Sequence, residues 1–262
     1  MSRICPLYSG STGNCTYIGT QSGGILVDAG ASMKGITSAL ERAGGCCDEI
    51  KAIAITHEHS DHIKGLRVFL NKTKAKLIAS EKTLDTLIKQ NCVPEKTETI
   101  AIGSTALDIN GIEINRFDTS HDCEGSSGYS FFLPDGKKVT VCTDLGIVTE
   151  EVRSAINGSD VLLFESNHDI EMLKKGPYPP LLKVRIMSDK GHISNIACAA
   201  ELCGFLNNGT TRFILGHLSQ KNNTPVIARS CAEAALMDKG AQNGKDYILN
   251  VAGVTDNGVM VF

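Results

Sequence analysis

Three of the chain's seven histidines fall within six consecutive positions beside an acidic residue, in the stretch H-E-H-S-D-H at residues 57–62. In extended backbone His57 and His59 point the same way, and a helix that begins near Asp61 would turn Asp61 and His62 back towards them. Imidazole and carboxylate groups bind zinc, manganese or iron, and a cluster without cysteine is typical of catalytic zinc sites. Histidines that only cap a helix occur singly, so we predict a loop that could serve two metal sites.

The first half of the chain predicts alternating strands and helices that place this loop. Strand-type runs lie at residues 14–19, 24–27, 51–56 and 75–79, and helical periodicity lies at 36–43, 61–70 and 82–90. The histidine-rich loop therefore follows the carboxyl end of a strand, where α/β folds commonly bind ligands.

The second half predicts two hairpins followed by further strands and helices. Asn110-Gly111 and Pro134-Asp135-Gly136 are favoured turn sequences, and their hairpins end near His121 and Asp144. Strands are predicted at residues 161–164 and 213–215, and helices at 150–156, at 194–205 and from Thr224, which precedes a proline. The sequence has no internal repeat. We predict an α+β fold in one domain, residues 1–262, with two packed sheets and helices outside.

Composition fits an ordinary globular protein and disfavours several classes. The 262 residues are 42% apolar, enough to bury a core, and the formal net charge of −3 means that nucleic acid would need a local basic patch. The ten cysteines form no C-x-x-C pair, so we expect most of them to be buried in a reducing compartment. The N-terminus has no signal-type apolar core and no apolar stretch is long enough to span a membrane, so we expect a cytoplasmic protein without membrane contact.

Several motifs give the sequence a resemblance to the metallo-β-lactamase superfamily. T-H-E-H-S-D-H looks like its H-x-H-x-D-H signature, and I-L-V-D-A-G at residues 25–30 is similar to the early strand whose aspartate supports the metal loop. The resemblance implies a four-layer αββα sandwich that binds two divalent metal ions, zinc or manganese, with iron as a further option. The ligands that it implies are His57, His59 and His121 for one ion and Asp61, His62 and His217 for the other, with Asp144 bridging them.

Each later ligand has a simpler explanation when it is taken alone. His121 could be a loop histidine, Asp144 a turn residue and His217 a hydrogen-bonded core histidine. Their shared position after strand-like runs, in the order of the superfamily's ligands, favours the metal site. Metal-bound imidazoles usually donate their outer N–H to a partner, and Asp28 and Thr56 are the candidates for that supporting role.

An acidic residue and a histidine indicate the nuclease branch of this superfamily. Glu165 in F-E-S-N-H-D and His192 in K-G-H-I-S-N resemble a pair found in transfer-RNA 3′-processing enzymes and β-CASP nucleases, which lactamases lack. In those nucleases the histidine is thought to donate a proton to the leaving oxygen. The resemblance makes Asp61, Glu165 and His192 the catalytic candidates. His192 could instead cap the helix predicted to start near Ser194.

The motifs taken together closely resemble the YycJ/WalJ family. S-G-S-T-G-N-C, T-H-E-H-S-D-H, T-D-L-G, E-S-N-H-D, G-H-I-S-N and G-H-L-S-Q-K-N-N carry the likeness along the chain. It implies a compact fold without the β-CASP insertion and a metal-dependent 5′-3′ exonuclease activity on DNA. It also implies a functional association with a two-component regulatory system.

Substrate contacts are less strongly marked. Residues that could contact phosphate or DNA, or only form ordinary loops and surface, are His168, Lys183, Arg185, Ser219 and Asn223. Lys183 and Arg185 belong to the basic, proline-rich segment 174–185, which could be a DNA-contacting rim or simply a solvated face. His168 could bind phosphate near the metals or lie on the surface.

Two other function classes could use the same fold. A small-molecule hydrolase, such as a cyclic phosphodiesterase, thioesterase or lactonase, would not need the pair of Glu165 and His192. A non-catalytic, metal-stabilised regulatory protein would have a closed metal site. A redox di-iron centre is disfavoured because position 59 holds histidine where flavodiiron proteins place glutamate. The sequence therefore favours a dinuclear-metal nuclease.

Overall fold

The computed structural model describes residues 1–262 as fourteen β-strands and nine α-helices. The strands are β1 (Arg3–Tyr8), β2 (Cys15–Thr20), β3 (Gly23–Val27), β4 (Ile50–Ala54), β5 (Lys76–Ala79), β6 (Thr99–Ala101), β7 (Leu107–Ile109), β8 (Ile112–Asp118), β9 (Ser127–Phe132), β10 (Lys138–Cys142), β11 (Val161–Glu165), β12 (Arg212–Gly216), β13 (Ile248–Val251) and β14 (Met260–Val261). The helices are α1 (Met33–Arg42), α2 (Ser60–Ile63), α3 (Leu66–Lys72), α4 (Glu81–Lys89), α5 (Glu150–Ile156), α6 (Ile170–Lys175), α7 (Pro180–Ile186), α8 (Asn195–Asn207) and α9 (Pro225–Asp238).

Two seven-stranded sheets form the centre of the fold, with the strand orders β14-β1-β2-β3-β4-β5-β6 and β13-β12-β11-β10-β9-β8-β7. In the first sheet β1 to β3 pair antiparallel and β3 to β6 pair parallel. In the second, β7 to β10 pair antiparallel and β10 to β13 pair parallel. The two sheets therefore share one pairing pattern, three antiparallel pairs followed by three parallel pairs, although the sequence does not repeat.

Three apolar layers hold the sheets and helices together and confirm the predicted αββα sandwich. Side chains alternate along each strand, so on β4 Ala52 and Ala54 lie between the sheets while Ile53 packs under the helices of the opposite face. Helices α1, α3 and α4 cover the outer face of the first sheet, and α5, α8 and α9 cover that of the second.

Helix starts follow the local sequence signals. Thr224 and Ser194 cap α9 and α8, because each side chain accepts a hydrogen bond from a backbone N–H of the first turn. The prediction of one helix over residues 61–70 was wrong. Gly65 separates α2 from α3, since its N–H donates to the Ala29 carbonyl, at 2.8 Å, instead of continuing the helix.

Some features of the chain differ from the sequence predictions. Strand β1 was not predicted, and the basic segment 174–185 lies on the unpredicted helices α6 and α7. All ten cysteines are free and only four of them are buried, so the prediction that most are buried was wrong. None of the helices combines the length and the apolar character needed to cross a bilayer.

Candidate metal centre

The histidine-rich loop between β4 and α2 lies where loops from both sheets meet. Within the loop, His57 Nε2 lies 2.9 Å from His59 Nδ1. His121, on the loop after β8, places its Nε2 3.4 Å from the same His59 atom. These three imidazoles form one group whose nitrogens are close enough together to hold a metal ion.

A second group joins α2 to loops of the second sheet. His62 Nε2 lies 3.6 Å from Asp61 Oδ2 and 3.5 Å from Asp144 Oδ2. His217 Nε2 lies 3.9 Å from Asp61 Oδ2. Asp61, His62 and His217 could therefore hold a second ion. Asp144 also groups with His57 and His62, so its carboxylate lies between the two groups. The structure thus brings all the predicted ligands together.

Two buried atoms in this site have no hydrogen-bond partner, Asp144 Oδ2 and His217 Nε2. Their residues are only 2% and 3% exposed, so bulk water cannot satisfy these atoms. A buried polar atom left without a partner costs about 1–3 kcal/mol, and more when it is charged. A bound cation would satisfy both atoms, and the set of imidazole and carboxylate donors fits a divalent transition metal such as zinc.

Every imidazole of the two groups has its outer ring nitrogen next to an acceptor of the protein. The acceptors are Thr56 Oγ1 for His57, Asp28 Oδ2 for His62, the Gly191 carbonyl for His121, Glu165 Oε1 for His217 and Cys123 Sγ for His59. Thr56 donates its hydroxyl to Asp28 at 2.9 Å, so the two predicted supporting residues are linked. When the outer nitrogen of each ring carries the N–H, the other nitrogen can bind a metal ion.

Glu165 bonds two histidines from the end of β11. Its Oε1 accepts from His192 Nδ1 at 2.8 Å and from His217 Nδ1 at 2.7 Å, and its Oε2 accepts from the Leu145 N–H at 3.1 Å. Burial would raise the pKa of Glu165, but the two imidazoles lower it to about 2. Because Ser194 caps α8, the cap role considered for His192 is filled by another residue.

Buried charges favour positive charge at the centre of the site. Burial opposes ionisation of Asp144, but the surrounding histidines, His217 foremost, hold the pKa of this carboxyl well below its usual range. The pKa of His217 is raised well above its usual range because Asp144, Asp61 and Glu165 outweigh the effect of burial. Burial lowers the pKa of His57, which keeps this imidazole neutral. The carboxylates thus attract a cation while a neutral ring offers its lone pair.

Three residues of the site have left-handed backbone conformations, with φ values of 62° at Asp28, 60° at Asp144 and 55° at His217. Residues other than glycine rarely adopt this region, and each instance costs on the order of 1 kcal/mol. Such conformations persist where the surroundings hold them and concentrate at functional sites. Their occurrence in three residues of one site supports a functional role.

A cavity of about 210 Å³ opens above the ligand groups. Its lining comes from the ligands and from the loops and helix around them: Ser11, His59, Asp61, His121, Asp144, Asn167, Tyr178, Leu182, Arg185, Ile186, His192, His217 and Ser219. Helix α7 therefore forms one wall of the cavity, with Leu182, Arg185 and Ile186. The apolar wall on one side and the ligands on the other could hold a group that carries both an apolar face and a phosphate.

Only two of the five residues predicted to contact substrate line this cavity, Ser219 and Arg185. His168 is buried, which excludes the surface position considered for it, and burial lowers its pKa to about 4. Asn223 is buried and donates to the carbonyl groups of Ser166 and Asn167, so it ties loops together. The Lys183 ammonium donates to the Lys174 carbonyl instead of facing the cavity.

Sequence reasoning missed three residues next to the ligands. The Asn14 amide donates to Asp61 Oδ2 at 3.2 Å and lies 3.0 Å from His62 Nε2, a contact that the sequence of its small-residue loop does not indicate. Cys123 and Asp122 both approach the outer nitrogen of His59. Their adjacency to His121 in S-H-D-C was the only available signal.

Comparison with known proteins gives matches along almost the whole chain. The model of the family described as "Beta-lactamase superfamily domain" matches residues 24–218. Exodeoxyribonuclease YycJ of Bacillus anthracis is 36% identical over 243 residues, which cover 92% of this chain and 91% of the relative. Exodeoxyribonuclease WalJ of Streptococcus pneumoniae is 38% identical over 245 residues, with 92% and 90% covered.

The fold itself also has a match among solved structures. The metallo-β-lactamase fold protein YhfI from Bacillus subtilis aligns with a TM-score of 0.74 over 99% of both chains at 14% identity, a likeness that concerns the fold alone. The family match and the two relatives establish the family as well as the fold, because they rest on sequence identity along most of the chain. The chain therefore belongs to the β-lactamase superfamily and, within it, to the YycJ/WalJ family of metal-dependent hydrolases.

Proposed function

We propose that the protein is a metal-dependent phosphodiesterase that removes nucleotides from the ends of DNA, as a 5′-3′ exonuclease. The observation that carries this proposal is the pair of Glu165 and His192, 2.8 Å apart, beside the ligand groups. Such a pair provides a proton donor for a leaving oxygen, which phosphodiester cleavage requires. The two curated relatives are named exodeoxyribonucleases, which supports DNA as the substrate.

In this proposal two divalent ions, zinc or manganese, are held by His57, His59, Asp61, His62, His121, Asp144 and His217. When bound, the ions would polarise the phosphodiester and activate water for attack on phosphorus. Asp61 is the more accessible of the two ligand carboxylates, with a side chain 22% exposed against 2% for Asp144. Its carboxylate borders the cavity, so Asp61 can also orient the attacking water.

His192 is the proton donor in this proposal. Its Nδ1 is bonded to the buried Glu165 carboxylate, so its Nε2 is the ring nitrogen free to act at the cavity. The bond to the buried Glu165 carboxylate fixes the orientation of the ring. Ser219 lines the cavity and can donate its hydroxyl to a phosphate oxygen, whereas His168 and Asn223 shape the loops behind it.

The small cavity favours action at chain ends. A cavity of about 210 Å³ is far too small to admit an intact duplex, so only part of one strand could reach the ligand groups. Tyr178 and Leu182 on its wall offer a surface on which a terminal base could stack.

We further propose that the protein acts in the cytoplasm. The activity would belong to a single domain, residues 1–262, in functional association with a two-component regulatory system.

The proposal is tested with polynucleotides that differ in sugar, in the number of strands and in the labelled end. Wild type and Asp61→Ala are compared on single- and double-stranded DNA and on RNA, each labelled at the 5′ or the 3′ end, with zinc, manganese or iron. We expect wild type to release mononucleotides from the 5′ end of DNA and Asp61→Ala to lose this activity.

A different outcome would identify another function. No cleavage of any polynucleotide, together with turnover of a cyclic phosphodiester, thioester or lactone, would replace the nuclease by a small-molecule hydrolase, which the same cavity would also fit. Stable metal binding without turnover of any of these substrates would indicate a regulatory protein.

A further inference from the structure

His59 is the least enclosed imidazole among the candidate ligands. Its side chain is 35% exposed, whereas those of His62, His121 and His217 are 0%, 1% and 4% exposed. The rings of the other ligands bond to enclosed oxygen atoms, but the outer nitrogen of His59 has a thiol, Cys123 Sγ, at 3.2 Å. A thiol is a weak hydrogen-bond acceptor. His59 therefore needs another group to fix its ring.

Asp122 places a carboxylate beside the same nitrogen, within ion-pair distance. Its Oδ1 lies 3.5 Å from His59 Nε2 and 3.5 Å from His121 Nε2, between two ligands of one group. Its other oxygen, Oδ2, accepts from Arg185, with contacts of 2.6 Å to Nε and 2.5 Å to Nη2. Both contacts end on Oδ2, so the guanidinium holds this oxygen while Oδ1 lies beside the two histidines.

Arg185 connects this carboxylate to α7, the helix that walls the cavity. The same end of the helix is bonded to two further site elements. The Ile186 carbonyl accepts from the His192 N–H at 2.9 Å, and the Gly191 carbonyl, a few residues later, accepts from His121 Nδ1 at 3.2 Å. The position of α7 is therefore linked to the proton donor and to the ligand group at once.

We propose that Asp122, held by Arg185, is a positioning residue for His59, so that the cavity wall α7 and the metal-binding group of His57, His59 and His121 are coupled. This inference rests on the metal assignment of the proposed function. It gives Arg185 a structural link to the ligands in place of the DNA contact predicted from its charge.

A purely electrostatic effect and a positioning role predict opposite changes in metal affinity when Arg185 is replaced. Removing a positive charge near a cation site strengthens cation binding if only Coulomb forces act. Removing a clamp that orients a ligand through Asp122 weakens binding instead, and loss of a group that orients a metal ligand typically costs about 10–100-fold in affinity. The sign of the change therefore separates the two explanations.

The experiment measures zinc affinity by competition with a chromophoric chelator, independently of catalysis. Wild type is compared with Asp122→Asn, Arg185→Met and the double variant, because methionine keeps the length of the arginine stem against the cavity. The matched controls are Asp256→Asn and Arg42→Met, which break an exposed Arg–Asp pair 3.0 Å apart and outside the site. Circular dichroism confirms that each variant is folded.

We expect Asp122→Asn and Arg185→Met each to weaken the binding of one zinc ion by about tenfold or more, and the double variant to be no weaker than Asp122→Asn. The controls should bind zinc as wild type does. Tighter binding by Arg185→Met, or unchanged binding by Asp122→Asn, would overturn the positioning role. Absence of zinc binding by wild type would instead contradict the proposed function.

Discussion

At the scale of single residues, Glu165 joins two parts of the chemistry. One oxygen of its carboxylate bonds both His192, the proposed proton donor, and His217, a proposed metal ligand. Its own burial is complete, so no water can replace these bonds. A change at Glu165 should therefore affect proton transfer and metal binding together, whereas a change at His192 should affect only proton transfer.

Glu165→Gln is expected to lower the rate of DNA cleavage by about 10²–10⁴-fold, because the amide replaces the carboxylate that orients His192, the proposed proton donor. It should also weaken the binding of one metal ion by about 10–100-fold through His217. Cleavage rates and chelator competition on the same preparation check both effects. The control is Glu201→Gln, a glutamate that bonds Arg153 away from the site. A loss of cleavage with unchanged metal affinity would show that His217 does not depend on Glu165.

At the scale of elements, the metal loop needs a close approach between the turn after β3 and helix α2. A Cβ at Gly30 would lie 1.6 Å from the Asp61 carbonyl oxygen. That carbonyl accepts from the Asn14 N–H at 2.7 Å, so three segments meet at this point. Position 30 has no room for a side chain. A larger residue there would push α2, with Asp61 and His62, away from the other candidate ligands.

Gly30→Ala is expected to destabilise the fold by about 3 kcal/mol or more, because a rigid backbone atom occupies the place of the new methyl group. Gly204→Ala is the matched control. Gly204 lies in the exposed part of α8, where a Cβ would meet no atom within 4 Å, and alanine there should stabilise by about 0.5–1 kcal/mol. Urea unfolding measures the free energy of unfolding of both variants. Equal stability of Gly30→Ala and wild type would refute the packing argument.

At the scale of the whole molecule, the metal centre joins the two sheets. The group from residues 57–62 follows β4 of the first sheet, whereas His121, Asp144 and His217 follow strands of the second. Bound metal would therefore act as a link between the two halves of the sandwich, in addition to its part in the chemistry. Folding and metal binding should then be thermodynamically coupled.

Metal removal is expected to lower the melting temperature by several degrees. A ligand at 100 times its dissociation constant contributes about 2.7 kcal/mol, and each kcal/mol shifts the melting temperature of a chain of about this size by roughly 2–4 °C. Thermal unfolding of the zinc-loaded protein with and without EDTA measures the difference. The difference in melting temperature between the two conditions should be smaller for Asp61→Ala, which lacks one candidate ligand. An identical melting temperature with and without EDTA would contradict the proposal that bound metal links the two halves of the sandwich.

The sequence predicted the fold, and the residues that the structure gathers as candidate ligands, because both rest on local signals. The apolar runs, the turn at Asn110-Gly111 and the Thr224-Pro225 helix start are each read from a few neighbouring residues. The ligands stand directly after strands, and the topology brings the carboxyl ends of those strands together.

Features that depend on contacts between distant segments could not be predicted in this way. The break at Gly65 and the role of Asn14 depend on how separate loops meet, which no local pattern specifies. Arg185 was predicted from its charge as a rim residue and does line the cavity, but its bond to Asp122, which lies far away in the chain, could not be predicted. Helix α7 was missed because two prolines precede and begin it and its apolar residues show no simple periodicity.

The most direct test of the central claim measures metal content and nucleotide release on the same preparations of wild type and His192→Ala. We expect equal metal content, because His192 is not among the candidate ligands, and a fall of about 10²-fold or more in the release of nucleotides from DNA by the variant. Undiminished release by His192→Ala, at full metal content, would contradict the assignment of this site to a nuclease that uses the pair of Glu165 and His192.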